Sequence, residues 1–451
     1  MAKVKTAFVC QQCGHLVHSW MGRCVACGGW NTLVEEVQGN DAPRAASKGP
    51  RPATRARPIT DTSGDAGGEV RLRIGIGELD RVLGGGLVTG SLTLVGGDPG
   101  VGKSTLLLTT ADAFAKRGIR VLYVSAEESA RQVRLRAERL GVLSDELWLL
   151  AETSITAVLE AVDEVKPKML VLDSVQTFSD TELNGVPGSI GQVREVGHRA
   201  MLLAKSKDIA TFLVGHVTKD GNLAGPRTLE HLVDTVLYVE GDGATALRVV
   251  RATKNRFGST GEIGLFEMRE EGLVEVPDAS ARLLRERLPD AAGTVVTCAM
   301  VGSRPLLVEV QALVGRPTQG TPARTVLGFE RGRLSMLLAV LGRAGLDLSD
   351  RDVFVSVAGG LQVDEPAADL AVAMAIASSA RGQPLPSDLI VLGEVGLVGE
   401  IRGVGMPQAR LREAERHGLR QAWVPPGVEY AGRLRIDEVR RVGDVLGKWG
   451  A

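Results

Sequence analysis

From residue 71 onward, short apolar, β-prone runs alternate with longer stretches that carry no helix breaker. The segments 91–95, 120–124 and 169–173 read as buried strands, and 213–219 as another strand with a polar end. Segments 105–116 and 131–140 read as helices. Strands that alternate with helices of this length predict an α/β chain with a mostly parallel sheet and crossover helices. A later region, from about residue 274, contains the apolar run 295–299, a helix over 370–380 and a Gly-Glu-rich strand over 393–401. Residues 38–70 fit neither period. They hold Pro43, Pro50, Pro52 and Pro58 among Ala, Ser, Gly and Asp, the composition of a linker. The expected division is therefore 1–37, a linker over 38–70, 71–273 and 274–451.

Composition narrows the picture. A chain of 451 residues is long enough for two or three domains, each with its own core. The net charge of −1 provides no global field for a polyanion, so any nucleic-acid site must be local. No apolar run approaches the roughly 20 residues that span a bilayer. The first ten residues lack the apolar core of a secretory signal, which predicts a cytoplasmic protein with no membrane partner. In the linker, Arg44, Lys48, Arg51, Arg55 and Arg57 make either a solvated tether or a flexible arm for a nucleic-acid backbone.

Four of the five cysteines, Cys10, Cys13, Cys24 and Cys27, follow the pattern C-x2-C-x10-C-x2-C. In a reducing compartment, paired knuckles at this spacing surround one Zn²⁺ with four thiolates. So short a segment would draw its stability from the metal. Two disulfides are the oxidising alternative. His15 and His18 lie nearby, but four cysteines already complete a tetrahedral shell. Cys298, alone in an apolar run, is expected to be a core thiol.

The most specific chemistry lies in Gly97-Asp98-Pro99-Gly100-Val101-Gly102-Lys103-Ser104, followed by Thr105. This is a complete phosphate-binding loop between an expected strand and an expected helix. Its backbone N–H groups would close around phosphates, with Lys103 on the β- and γ-phosphates and Ser104 on Mg²⁺. Asp173 ends a hydrophobic strand and is the expected second Mg²⁺ residue. Glu127, first after its strand and so preferred to Glu128, is the candidate base for an attacking water, or else a helix cap. His216 is a candidate γ-phosphate sensor or a simple packing histidine. ATP or GTP is the implied ligand.

Together with the cysteine pairs, Leu172-Asp173-Ser174-Val175-Gln176-Thr177, Gly215-His216-Val217-Thr218-Lys219-Asp220-Gly221 and Lys254-Asn255-Arg256-Phe257-Gly258 resemble the bacterial RadA (Sms) recombination and repair family. The resemblance runs from Cys10 to about Val442. It implies a RecA-like ATPase core using ATP, Mg²⁺ and Zn²⁺, and a homo-hexameric ring on single-stranded and branched DNA. It further implies branch migration during recombination and break repair, with the RecA recombinase as a partner. The pentapeptide 254–258 is the family's own motif. It follows a strand and ends in glycine, so a turn at a sheet edge is expected. Lys254 and Arg256 are both candidates to reach across a subunit interface to a neighbour's γ-phosphate. Stacking on single-stranded DNA and a solvated basic turn are the other readings.

The last segment resembles the proteolytic domain of Lon-type ATP-dependent proteases, an α+β domain. In that family an Asp-Gly-Pro-Ser-Ala-Gly stretch carries the nucleophile; here it reads Asp364-Glu365-Pro366-Ala367-Ala368-Asp369. The serine's place is Ala367, and the lysine's is set at Gln408. A methyl group cannot attack a carbonyl and an amide cannot act as base, so no peptidase chemistry is expected. Ser378 and Ser379 lie too far along the helix to substitute. The domain's expected use is as a ring scaffold and DNA-facing surface, with Arg304, Arg316, Arg324, Arg331 and Arg333 as candidate contacts. A regulatory ATP-dependent protease and a KaiC-like autokinase ring are the competing functions.

Overall fold

Because the apolar strands from residue 92 to 275 carry hydrophobic residues on both faces, they pack into one sheet with helices on either side. A computed structural model describes residues 5–10, 15–26, 28–30, 32–38, 71–183, 185–216, 228–241, 246–317 and 320–449. Its residues form two compact units, Met1–Gly241 with Arg248–Glu275, and Asp242–Leu247 with Val276–Ala451.

At the N-terminus, β1 (Lys5–Cys10), β2 (Leu16–Val17) and β3 (Leu33–Gln38) form a small antiparallel sheet in the order β2-β1-β3. A two-stranded ribbon, β4 (Arg71–Leu72) with β5 (Leu87–Val88), flanks α1 (Gly77–Val82). The main sheet then runs through β6 (Leu92–Gly97), α2 (Lys103–Ala115), β7 (Val121–Ser125), α3 (Ala130–Leu140), β8 (Leu147–Ala151), α4 (Ile155–Val165) and β9 (Met169–Asp173). It continues with α5 (Ile190–Lys207), β10 (Ala210–Val214), α6 (Thr228–Leu232), β11 (Thr235–Glu240), β12 (Leu247–Asn255), β13 (Ile263–Arg269) and β14 (Gly272–Glu275).

The strand order is β14-β13-β12-β11-β6-β10-β9-β7-β8. From β11 to β8 every pairing is parallel, whereas β12 runs antiparallel to β11. Two hydrophobic cores lie on opposite faces, one centred on Leu107, Phe114 and Phe212, the other on Val158, Phe178 and Val196. In such a sheet the C-terminal ends of β6, β7, β9 and β10 open on one crevice, where ligands bind.

The second unit holds α7 (Ala279–Leu284), β15 (Thr294–Val301), β16 (Arg304–Gly315), β17 (Arg324–Leu327), α8 (Arg331–Arg343), β18 (Asp352–Val357) and α9 (Asp369–Arg381). It ends with β19 (Leu389–Val391), β20 (Glu394–Val395), β21 (Ile401–Arg402), α10 (Pro407–Arg416), β22 (Gln421–Val424), β23 (Arg435–Glu438) and α11 (Val442–Trp449). Its seven-stranded sheet is mixed, in the order β17-β18-β16-β15-β19-β22-β23. The almost wholly apolar α9, Leu370 to Ala377, is buried against it.

Candidate functional site: a phosphate loop and its ring of polar groups

The loop between β6 and α2 is shaped by close packing. Gly97 has φ +148°, and a Cβ there would lie 2.4 Å from the Val239 carbonyl oxygen. Gly102, with φ +110°, ends the loop as the N-cap of α2; a Cβ would meet Met268 Cε at 2.7 Å and Leu273 Cδ1 at 2.9 Å. Only glycine fits both places. Lys103 opens α2 and is 4% exposed. Its ammonium donates to the carbonyls of Gly97 at 2.8 Å and Asp98 at 2.9 Å. Burial lowers its pKa, and the nearby carboxylates of Asp173, Asp98 and Glu127 act in the opposite sense. The cation therefore faces acids across a cradle of backbone N–H groups, a geometry that suits a polyphosphate with its counter-cation.

The strand ends supply those acids. Asp173 closes β9 opposite Ser125 of β7, and its Oδ2 accepts from the Tyr123 hydroxyl at 2.6 Å. Burial, with the Asp173 charge beside it, holds the Tyr123 phenol well above its usual pKa, so Tyr123 stays the donor. Glu127 Oε1 accepts from the Ser174 hydroxyl and lies 3.0 Å from His216 Nε2. A carboxylate only accepts, so Nε2 carries a proton. Glu128 turns away to an ion pair with Arg136 at 2.5 Å. The cap of α3 is Ser129, in a capping box with Gln132, which disposes of the capping alternative for Glu127. Val217, Thr218 and Lys219 lie outside the described residues.

The pentapeptide differs from expectation in its place. Lys254 and Asn255 are the last residues of β12, which lies between β11 and β13 rather than at the sheet edge. Local sequence carries no record of strand order, so the turn looked peripheral. Asn255 shapes it: its Oδ1 accepts from the Phe257 N–H at 3.0 Å. Phe257 offers its carbonyl to Arg71 at 2.6 Å, and Gly258 packs against Gly84. Arg256 pairs with Asp234 at 3.0 Å, and Lys254 donates to the Glu230 carbonyl at 2.5 Å. Burial and the neighbouring Arg256 charge lower the Lys254 pKa.

Register fixes the direction of this turn. Gly97 pairs with Val239, and Val239 with Val250; Thr93 pairs with Thr235, and Thr235 with Asn255. The turn therefore leaves the sheet at the end opposite the phosphate loop, about 17 Å along β12 at roughly 3.4 Å per residue. Near the other end of β12 is Arg248, 8% exposed, whose Nε donates to the Val101 carbonyl at 3.3 Å.

Several of these groups escape sequence reasoning. Tyr123, Ser174 and Arg248 look like strand or loop filler until the fold brings them in. The same holds for the hairpin β13–β14. Its Gly272, at φ +111°, lies so close that a Cβ would be 2.9 Å from Leu140 Cδ2 and 3.2 Å from Thr105 Cγ2. Beside it a cavity of about 660 Å³ is lined by Thr105, Arg139, Met268, Arg269, Glu270 and Gly272.

In the N-terminal sheet, Cys10 and Cys24 are buried in one cluster with Leu33, while His15 and His18 are exposed. The Cys24 carbonyl accepts from the Gly28 N–H at 2.9 Å, closing a knuckle. Two buried sulfurs in one cluster fit a thiolate metal site. Cys13 and Cys27, and the basic linker residues, lie outside the described residues.

In the second unit Ala367 is buried, its carbonyl accepting from Gly393 at 3.0 Å, and Gln408 is exposed and donates to the Glu429 carbonyl. Two residues from each along the chain, Glu365 and Arg410 form an ion pair through two contacts of 2.6 and 2.5 Å. Arg410 is 1% exposed and also donates to the carbonyls of Cys298 and Gly405, while the Met300 N–H donates to Glu365 at 2.6 Å. Cys298 is buried, which raises its thiol pKa far above the usual value. The expected basic surface is reduced. Arg333 is drawn into the buried Asp369, Arg324 into the carbonyls of Ala323, Leu348 and Arg351, and Arg304 into that of Pro277. Arg316 and Arg331 remain exposed.

A glycine cradle, a buried lysine and strand-end acids on a mostly parallel sheet define a P-loop ATPase with a RecA-like core. Family models agree with each part: "AAA domain" over residues 76–222, "Rubredoxin metal binding domain" over 8–35 and "Subunit ChlI of Mg-chelatase" over 319–427. The DNA repair protein RadA of Bacillus subtilis is 46% identical over 98% of this chain and 99% of its own, and that of Streptococcus pyogenes serotype M6 is 47% identical over 99% of each. Among solved structures, a KaiC-like protein from Pyrococcus horikoshii covers 46% of this chain and 100% of its own at 21% identity, with a TM-score of 0.39. The chain belongs to the RadA family of DNA repair proteins, with a zinc ribbon, a RecA-like ATPase core and a Lon-protease-like C-terminal domain.

Proposed function

We propose that the chain hydrolyses ATP at the loop 97–104 and drives branch migration of recombination intermediates, as a homo-hexameric ring in which each site is completed by the next subunit. The observation that carries this reading is the direction of β12. Its end with Lys254 and Arg256 lies too far from its own phosphate loop for an arginine to span, yet it presents two cations at the surface of the ATPase core.

Backbone N–H groups of the loop from Gly100 to Thr105 hold the phosphates, and Lys103 leaves its two carbonyls for the β- and γ-phosphate oxygens. Ser104 and Asp173 would hold Mg²⁺, which would supply neutralisation of the phosphate charge. The cavity beside Thr105 takes base and ribose. Glu127 accepts the proton of the attacking water, and Ser174 and His216 aim its carboxylate. His216, bonded to Glu127 by one ring nitrogen, registers the γ-phosphate. Lys254 or Arg256 of the neighbour stabilises charge as it develops. Cys10, Cys13, Cys24 and Cys27 would hold one Zn²⁺ as a structural ion. Single-stranded and branched DNA are the proposed substrates and the RecA recombinase a proposed partner. The Lon-like domain serves as scaffold, since Ala367 and Gln408 offer neither nucleophile nor base.

The test is phosphate release with and without single-stranded DNA. Arg256→Ala or Lys254→Ala should lose the DNA-stimulated rate while binding ATP within about twofold of the unaltered protein. Turnover that single-stranded DNA fails to raise in the unaltered protein, or stimulated turnover in both variants, would refute the reading.

A further inference from the structure

Among the described residues, Tyr123 makes the side-chain hydrogen bond to Asp173 that neither the phosphate loop nor the attacking water requires. It sits within β7, 1% exposed, in the apolar cluster of Val133, Ala137 and Val171. A phenylalanine would fill the same space. The hydroxyl is therefore the part with something to explain, because a buried hydroxyl is costly without a partner. Its partner is Asp173 Oδ2, 2.6 Å away. Asp173 is itself 7% exposed and ends β9 at the crevice.

The carboxylate torsion of an aspartate is broad and soft. One short donor on Oδ2 removes that freedom and leaves Oδ1 directed by the donor rather than by solvent. Ser174 does not share the task, since its hydroxyl goes to Glu127. Groups that hold a metal-bound carboxylate from behind tune cation affinity without touching the cation.

We propose that Tyr123 is a positioning residue for the divalent cation of the bound nucleotide, acting through Asp173. This rests on the reading that Asp173 faces that cation. Tyr123 touches neither nucleotide nor metal, so its loss should separate cation affinity from nucleotide affinity.

The test uses the full chain with ADP and Mn²⁺, reading free Mn²⁺ by electron paramagnetic resonance. Tyr123→Phe should weaken Mn²⁺ binding to the ADP complex by about tenfold, with ADP affinity in EDTA unchanged within twofold. The Mg²⁺ concentration giving half-maximal ATP turnover should rise by a similar factor, and the rate should recover at saturating Mg²⁺. Unchanged Mn²⁺ affinity would overturn the proposal. Asp173→Asn distinguishes the two levels of failure. If that variant keeps its Mn²⁺ affinity, the underlying reading of Asp173 is wrong. If it loses affinity and Tyr123→Phe added to it loses more, Tyr123 acts elsewhere. A readout without any Tyr123 variant is available because the chain has three tyrosines. With 3-fluorotyrosine incorporated, the resonance that survives both Tyr238→Phe and Tyr430→Phe should shift when Mg²⁺ joins the ADP complex. A resonance that stays in place would count against the proposal.

Discussion

Two inactive variants should restore each other. Lys103→Ala removes a subunit's hold on its own phosphates, and Arg256→Ala removes what it lends to the next. A trans-acting arginine contributes about 10³-fold or more to turnover, so Arg256→Ala alone should fall to roughly a thousandth of the unaltered rate, and Lys103→Ala lower still. In a ring, every interface joins one phosphate loop to one finger, head to tail. An interface in a mixed ring works only when the loop comes from Arg256→Ala and the finger from Lys103→Ala. At equal mixing that happens at about half of a half, or roughly one quarter of interfaces, whatever the number of subunits. Turnover should therefore climb about two orders of magnitude above either variant, with its maximum at equal proportions and a symmetric fall on either side. The assay is phosphate release at fixed total protein, saturating ATP and excess single-stranded DNA, after co-dialysis to allow subunit exchange. The β12 register makes the sign firm, because an Arg256 acting on its own site would need to bridge about 17 Å of strand. No recovery at any ratio, with exchange verified by mass spectrometry, would refute the argument.

Other outcomes follow from the same structure. Lys103→Ala should abolish turnover, read by phosphate release. Arg333→Met should lower stability by about 3–5 kcal/mol in denaturant titration, because it strands the fully buried carboxylate of Asp369; a loss under 1 kcal/mol would mean the pair is dispensable. Ala367→Ser should cleave no casein with or without ATP, since Gln408 remains an amide committed to the Glu429 carbonyl. Cys10→Ser should lower the zinc content measured by atomic absorption; full retention would place the metal elsewhere.

How much of this was readable in the sequence depends on distance along the chain. The phosphate loop is contiguous, and its glycines and lysine sit where strand–loop–helix spacing puts them. The apolar run ending in Asp173 and the strand before Glu127 were legible from hydrophobic pattern alone. Tyr123 was not, because a tyrosine in a buried strand looks like packing until its partner 50 residues away is known. Arg248 is 147 residues from the carbonyl it holds. The pentapeptide turn reads as an edge turn in the sequence, yet β13 and β14 continue the sheet beyond it, because pairing order is a property of the fold. The arginines of the second unit looked like a basic surface since charge is visible in sequence, whereas the carbonyls and the carboxylate that absorb it are not.

Strand β12 touches a phosphate loop at one end, through Arg248, and carries Lys254 and Arg256 at the other. A strand of nine residues, roughly 30 Å long and hydrogen-bonded on both sides, resists stretching, and its register against β11 breaks once, between Ala252 and Lys254. In the proposed ring it is a push-rod. A shift of the loop when phosphate leaves would act, through Arg248, on the same strand that carries the groups offered to the next site. Sequential firing around such a ring then needs no separate relay of side chains, since timing would be built into the stiffness of one piece of backbone.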